Sequence, residues 1–404
     1  MKKIKSLALL IALSLIIGGI CGLCGTAFSK AVEFVTNVRG EYSWLLYLLP
    51  IGGLLSVIIF KLCRVKNVGT TNVFDCVKSK QNLPPLLAVA IFCGTCLSHL
   101  FGASAGREGA ALQIGGGVSN VFSRLFKLDE DTRHKLIMCG MAALFSAVFG
   151  TPLAAAFFAI EVILSSVCIS AAIPVFLSSA AGYAVAMLLH VHPERFNIGA
   201  LPQFSIDSIW KIAVITIAGV LVAFVLCAGL ESGKTIAKKL FKNEYLRIAI
   251  GGAVIIGLTL LVGNYDYNGG GINVIERVFE GNVSYEAFAL KLLFTVICVA
   301  CGYKGGEIIP TLFIGATLGG TLAVILGLPI GAGAAVGMAV LFVSATKCPI
   351  ATIFLCLEMF GFGCAALIIP VVIISFCIAR YKGLYNNVYD VLYLIKERKS
   401  KSLG

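Results

Sequence analysis

Apolar residues run along the chain in long blocks, uncharged except for Glu358 in the last. The first covers 7–29, and others follow at 44–60, 84–98, 168–189, 212–230, 248–263, 292–302, 308–346 and 349–379. A helix needs about 20 apolar residues to cross a bilayer. Several blocks match one span, some are shorter, and the last two are long enough for more than one. Gly or Pro interrupts many of them. The pattern predicts an all-α polytopic membrane protein with broken helices and about ten to fourteen membrane segments.

Composition agrees. Of 404 residues, 59% are apolar and 13% charged, against roughly 25% charged in an average soluble domain. Too little polar surface is available to cover a soluble globule of this size. That excludes a soluble enzyme, a nucleic-acid-binding module and a disordered scaffold. The net charge of +12 falls mostly between and outside the apolar blocks, so it reads as topology signals and phospholipid contacts. The first block is too long for the apolar region of a signal peptide and is expected to stay as a helix. Lys2, Lys3 and Lys5 at one end, and Lys396, Arg398, Lys399 and Lys401 at the other, place both termini in the cytoplasm by the positive-inside rule. No soluble regulatory domain is expected.

Fifteen cysteines include three CxxC pairs, Cys21/Cys24, Cys93/Cys96 and Cys298/Cys301. Metal or redox chemistry is the sharper reading. The chain has only four histidines and no ligand cluster beside these pairs. Small residues at helix-packing spacing are the preferred reading, and no metal or organic cofactor is expected.

The two halves resemble each other. Residues 151–163 read TPLAAAFFAIEVI and residues 348–360 read CPIATIFLCLEMF, which at an offset of 197 pairs Pro152 with Pro349, Phe157 with Phe354 and Glu161 with Glu358. At nearly the same offset, GREGAALQIGG (106–116) parallels GGEIIPTLFIGA (305–316), pairing Glu108 with Glu307. Two matches in the same order argue for a duplicated membrane unit, with repeats over 1–200 and 201–404. Internal repeats of this kind are common in transporters whose substrate lies between the copies.

The same four acidic residues lie inside or at the mouth of apolar blocks: Glu108, Glu161, Glu307 and Glu358. A carboxylate in hydrocarbon costs roughly 3 kcal/mol or more unless it faces protein, water or an ion. Glu161 and Glu358 sit late in their helices, where a structural, backbone-binding role is preferred over an ion or proton path. Glu108 and Glu307 stand beside glycines at predicted helix starts, with Pro310 as a suitable first-turn residue. Free N–H groups and the helix dipole make such starts anion sites. A carboxylate there can occupy the site when ionised and leave when protonated, which would couple an anion to a proton. Thr70 and Thr71 in Gly69-Thr70-Thr71-Asn72, and the Tyr385 hydroxyl, are further candidate anion donors, with ordinary turn and interface roles as the alternative.

These residues resemble the CLC family of chloride channels and proton-coupled anion transporters. Gly106-Arg107-Glu108-Gly109-Ala110 is similar to the family's GREGP motif, Gly305-Gly306-Glu307-Ile308-Ile309-Pro310 to GGxFxP, the 151–161 segment to APLAGxxFxxE, and Lys382-Gly383-Leu384-Tyr385 to KPLY. The resemblance implies a CLC-type fold of two inverted repeats and a homodimer with one pore per subunit. It also implies Glu108 as the gating and proton-carrying glutamate. Anion sites would be built from Gly106, Arg107, Gly109, Glu307, Ile308 and Ile309, with Tyr385 at the inner end. Thr70 or Thr71 would stand where the family's GSGIP serine sits, although Gly69-Thr70-Thr71-Asn72-Val73 departs from that motif.

Two departures bear on mechanism. Transporter members often carry a second glutamate immediately after the position of Glu161, and this chain has Val162. That resembles both channel members and the fluoride/proton antiporters. Glu307 resembles the glutamate of the fluoride-exporting branch, where a carboxylate can share a proton with hydrogen fluoride. The expected function is halide/proton antiport in the cell membrane, with protons and fluoride, or chloride close behind, as the partners. A passive voltage-gated-type chloride channel is the alternative. An intramembrane hydrolase, suggested by Gly102-Ala103-Ser104-Ala105-Gly106, lacks the strand-turn-helix setting of a nucleophile elbow, and no enzymatic activity is expected. Gly269-Gly270-Gly271 lacks the Lys-Ser/Thr of a phosphate loop and reads as a linker.

Overall fold

The apolar blocks become helices, but the boundaries follow glycine and proline rather than the ends of the blocks. The computed structural model describes residues 2–65, 69–79, 82–164 and 166–385. The basic C-terminal residues Lys396, Arg398, Lys399 and Lys401 lie outside the described residues, as do the side chains of Lys2, Lys3 and Lys5. In chain order the helices are α1 (Lys2–Glu41), α2 (Leu49–Leu62), α3 (Thr70–Ser79), α4 (Leu87–Phe101), α5 (Glu108–Leu125), α6 (Glu130–Phe149), α7 (Pro152–Ile163) and α8 (Ser166–Leu188). There follow α9 (Ile206–Leu240), α10 (Glu244–Val262), α11 (Ile272–Phe279), α12 (Ala287–Cys301), α13 (Ile308–Leu326), α14 (Ile330–Thr346), α15 (Pro349–Phe360) and α16 (Ala365–Ile378). The described residues contain no strand.

The block at 308–346 splits into α13 and α14 because Gly327 takes a left-handed conformation (φ 67°) at the end of α13 and Pro329 caps α14. The block at 349–379 breaks at Gly361 and a short 3-10 turn. Helix α6 lies outside the predicted apolar blocks. Its first turn is charged and capped by Asp129, yet Leu136 to Phe149 is buried throughout. Among the described residues, six helical segments are long and apolar enough to cross a membrane, and several apolar helices of 10–17 residues are not. At 40 residues, α1 is about 60 Å long, so it exceeds a perpendicular span.

Burial sorts these helices into an outer shell and an inner core. In α10, 28% of the apolar window is buried; in α13 the figure is 83%. Leu221, Phe224 and Val225 of α9 and Ile373 and Ile374 of α16 are exposed apolar side chains, the expected outer surface of a protein solvated by lipid. The inner helices approach closely through small residues. A Cβ on Gly315 would lie 2.5 Å from the Gly337 carbonyl oxygen, and one on Gly319 would lie 2.0 Å from that of Gly333. Both pairs are spaced as GxxxG, which lets backbones pack without side chains between them. At the α5–α6 crossing, Gly115 meets the Gly140 carbonyl in the same way, at 2.1 Å. Cys21 of α1 packs against this crossing, its Sγ 3.9 Å from the Ser119 Oγ, so this CxxC member is a helix-packing residue.

Helices α7 and α15 lie against each other, with Phe157 stacked on Phe354 at 4.6 Å. Each begins with proline, so the next free N–H groups belong to the second and third residues. Glu161 accepts those of Ile350 (3.1 Å) and Ala351 (2.7 Å), and Glu358 accepts those of Leu153 (3.0 Å) and Ala154 (2.9 Å). Each carboxylate caps the start of the helix that carries the other. The preferred structural reading of this pair is therefore what the hydrogen bonds display.

Candidate functional site

The starts of α5 and α13 meet at the centre of the core. Gly106 donates its N–H to the Gly306 carbonyl and Gly306 donates to that of Gly106, both at 2.7 Å, as an isolated antiparallel bridge. No side chain fits there. A Cβ on Gly306 would lie 2.3 Å from the Gly109 nitrogen, and one on Gly109 would lie 2.8 Å from the Gly306 Cα. The bridge brings together two helix N-termini whose first N–H groups have no acceptor within their own helices. Gly106, Gly109, Ile308 and Ile309 are all buried, so these amides face protein interior rather than bulk water.

Glu108 is the first residue of α5 and only 1% exposed. Its Oε2 accepts the Arg107 backbone N–H at 3.0 Å, and its Oε1 lies 3.6 Å from the Arg107 Nε. The remainder of the Arg107 guanidinium turns away, donating to Glu194 Oε1 at 2.8 Å and Ser29 Oγ at 3.1 Å. Of the anion contacts expected at Arg107, the backbone N–H is thus taken by Glu108 and the guanidinium by an ion pair. Glu108, Arg107 and Glu194 line an open vestibule of about 720 Å³, shared with Arg39, His190 and Glu276 among others. Glu194 lies on the segment between α8 and α9. Burial raises its carboxyl above the ordinary value, and Arg107 pulls in the opposite direction.

Glu307 directly precedes α13. Its backbone carbonyl accepts the N–H and the hydroxyl of Thr311 (3.0 and 2.8 Å), and its side-chain Oε2 is buried with no hydrogen-bond partner. Gly109 has no room for a side chain, and two polar atoms close in beside it. The Glu307 Oε2 and the Thr70 Oγ1 each lie 3.6 Å from the point where a Gly109 Cβ would sit. Thr70 is thereby brought to the junction; Thr71, the next residue of α3, is half-buried. Asn72 folds back to accept the Gly69 N–H at 2.8 Å. The sequence reading did not single out Gln113. Its Nε2 donates to the Thr70 Oγ1 at 3.0 Å and to the Gly109 carbonyl at 3.2 Å, while its Oε1 is buried without a partner. The available signal was that Gln113 carries the one polar side chain between Gly109 and Val118.

Tyr385 is 2% exposed, with its ring edge-on to Phe74 of α3 (5.3 Å) and Phe158 of α7 (6.0 Å) and its hydroxyl without a hydrogen-bond partner. It is held by the Leu384 N–H, which donates to the Ala345 carbonyl at 2.7 Å. The hydrolase reading gains nothing here. Ser104 is fully buried, its hydroxyl lies 3.1 Å from that of Thr295, and its N–H meets the Cys298 sulfur. The Gly269–Gly271 segment joins α10 to α11, pinned by the buried Lys291 ammonium on the Tyr267 and Gly269 carbonyls.

An all-helical membrane core with two buried, glycine-bridged helix starts, each carrying a carboxylate, is the architecture of an anion-transport protein. Residues 52–380 match the family model described as voltage gated chloride channel. The chain belongs to that family, the CLC channels and transporters, and is a membrane protein. It is 30% identical over 388 residues to the chloride/fluoride channel protein of Pseudomonas syringae pv. tomato, covering 93% of this chain and 85% of that one. It is 28% identical to the H(+)/Cl(-) exchange transporter ClcA of Vibrio vulnificus, over 86% of this chain and 81% of the relative. Among solved structures, a CLC-type fluoride/proton antiporter superposes with a TM-score of 0.90 at 33% identity, covering 94% of this chain and 97% of its own. A slow cyanobacterial Cl-/H+ antiporter shares the fold, with a TM-score of 0.78 at 19% identity.

Proposed function

We propose that the chain is a proton-coupled fluoride exporter. The observation that carries this reading is the Glu307 carboxylate at the start of α13, buried beside Gly109 with one oxygen unpartnered. A bare carboxylate beside an anion would repel it. A protonated one, or one sharing a proton with fluoride, binds it through a strong charge-assisted hydrogen bond. Hydrogen fluoride is a weak acid of strength comparable with a carboxylic acid, so the proton can be shared. Hydrogen chloride is far too strong an acid for that. The likeness to a fluoride/proton antiporter supports the same assignment.

In this reading Glu108 is the gate and proton carrier, occupying the helix-start site when ionised and swinging toward the vestibule when protonated. The backbone N–H groups of Arg107, Gly109, Ile308 and Ile309 hold the anion, while that of Gly106, expected from the sequence to join them, is engaged by the Gly306 carbonyl; Thr70 rather than Thr71 supplies a hydroxyl, and Tyr385 closes the inner side. The reciprocal capping of α7 and α15 and the paired Gly115/Gly140 and Gly315/Gly337 contacts support a division into inverted halves at 1–200 and 201–404. The exposed apolar faces suit lipid and a homodimer partner with one pore per subunit, in the cell membrane with both termini cytoplasmic. Val162, fully buried among apolar residues, favours a second reading, a passive chloride channel, because it leaves that position without a proton-carrying group.

Reconstitution into liposomes separates the two. Fluoride efflux should exceed chloride efflux and carry protons in the opposite direction, and Glu108→Gln should abolish the coupled proton movement. Chloride flux equal to or above fluoride, with no proton movement, would establish the channel.

A further inference from the structure

We propose that Gln113 is a positioning residue that fixes the Thr70 hydroxyl as a donor to the transported anion. The orientation of its amide is set by chemistry. The Gly109 carbonyl can only accept, so the amide nitrogen must face it, at 3.2 Å. The same nitrogen lies 3.0 Å from the Thr70 Oγ1, and both of its hydrogens are thereby used. Thr70 Oγ1 is consequently an acceptor from Gln113, and its own hydrogen is left to point elsewhere. The oxygen stands beside Gly109, and the Glu307 Oε2 lies at the same 3.6 Å from the point a Cβ there would occupy. A hydroxyl held in this way has its proton free for an anion at this helix start.

The unpartnered atoms indicate what this junction takes. Gln113 Oε1 and Glu307 Oε2 are both buried acceptors with no donor, and Gln113 and Thr70 are 5% and 7% exposed. Buried acceptors left unpaired cost free energy until something protonated arrives. Fluoride accompanied by a proton meets the need of the Glu307 carboxylate. The fluoride accepts from Thr70, and the proton, shared with the Glu307 carboxylate, fills the empty acceptor. No covalent bond forms, and the proton stays between two bases of similar strength. Without Gln113 the Thr70 hydroxyl is free to rotate and to turn its lone pairs toward the anion.

This inference rests on the fluoride-transport reading, and the test separates the two. Wild type, Thr70→Val, Gln113→Met, Gln113→Leu and the Thr70→Val/Gln113→Met double variant are reconstituted. Fluoride efflux and proton uptake are then recorded against fluoride concentration. Gln113→Met and Gln113→Leu should each raise the apparent KM for fluoride by about tenfold, the size of one buried hydrogen bond to an ion. The double variant should be no worse than Thr70→Val alone, because Gln113 acts through that hydroxyl. KM is independent of how much protein folds, so a poorly expressed variant still reports. Multiplicative effects in the double variant, or a lower maximal rate at unchanged KM, would overturn the role of Gln113 while leaving fluoride/proton antiport intact. A wild type that moves no fluoride against protons removes both readings.

Discussion

Glu161 and Glu358 make the same hydrogen bonds in opposite directions, whereas Glu108 and Glu307, paired by the same sequence comparison, are held in different ways. Each member of the first pair gives both oxygens to two backbone N–H groups at the start of the opposite helix, at 2.7–3.1 Å. Every oxygen of this pair has a backbone donor. In the second pair, Glu108 is held by Arg107 and faces the vestibule, while Glu307 keeps a buried oxygen unpaired beside Thr70 and Gly109. Where the two halves keep the same bonds, the carboxylates hold the fold together. Where the halves have diverged, they leave unsatisfied chemistry, and that is where transport is expected.

The comparison breaks first at Glu108. Glu108→Gln should cut proton-coupled fluoride flux by at least about a hundredfold, the usual loss on removing a proton-transfer group, measured as alkalinisation driven by a fluoride gradient. A Glu108→Gln variant that still couples would make this pair as structural as the other. Glu307→Gln keeps the shape and removes the shared proton, so fluoride efflux should fall by about tenfold or more with the unfolding midpoint nearly unchanged. The outer pair should behave in the opposite sense. Glu161→Gln should lower unfolding free energy by about 2–3 kcal/mol, since an amide offers one acceptor where the carboxylate offers two charged ones. Glu358→Gln should cost less, because it is half-buried and the Leu153 amide it binds is exposed. Denaturant titration in detergent ranks the two, and fluoride transport per folded molecule should be retained in both.

The smallest effect lies outside the spanning segments. Asp129 accepts the N–H and the hydroxyl of Thr132 (3.1 and 2.7 Å) at the start of α6. These bonds, the backbone one foremost, hold its carboxyl below the ordinary value of 3.8. The capping contribution, about 0.5–1 kcal/mol at so exposed a site, is therefore present above that value and lost as the pH falls through the lower folded one. Asp129→Ala should show the deficit at neutral pH and match wild type in strong acid, with helix unfolding followed by circular dichroism.

Much of the frame could be read from the chain. Uncharged blocks announced the outer helices, and offsets of 197 and 199 residues paired the four glutamates. The inner helices were harder to read. Helix α6 hides behind a charged first turn, and α13 and α14 run together because a left-handed glycine, rather than a polar stretch, divides them. The role of Glu161 depends on Ile350 and Ala351, 189 and 190 residues away. Gln113 meets Thr70 across 43 residues. Periodicity reports which face of one helix is apolar, and it carries no record of which other helix that face will meet.

The mutual hydrogen bonds of Gly106 and Gly306 also limit the kinds of motion the protein can use. They join one half of the chain to the other beside the vestibule, 2.7 Å each way. Rocking the halves apart would break both bonds, at about 1–3 kcal/mol for each buried group left without a partner. Rotating the side chain of Glu108 breaks neither bond. The protein is stitched along the seam where a rocking carrier would open, so its turnover is expected to depend on the swing of a few side chains within a nearly stationary frame.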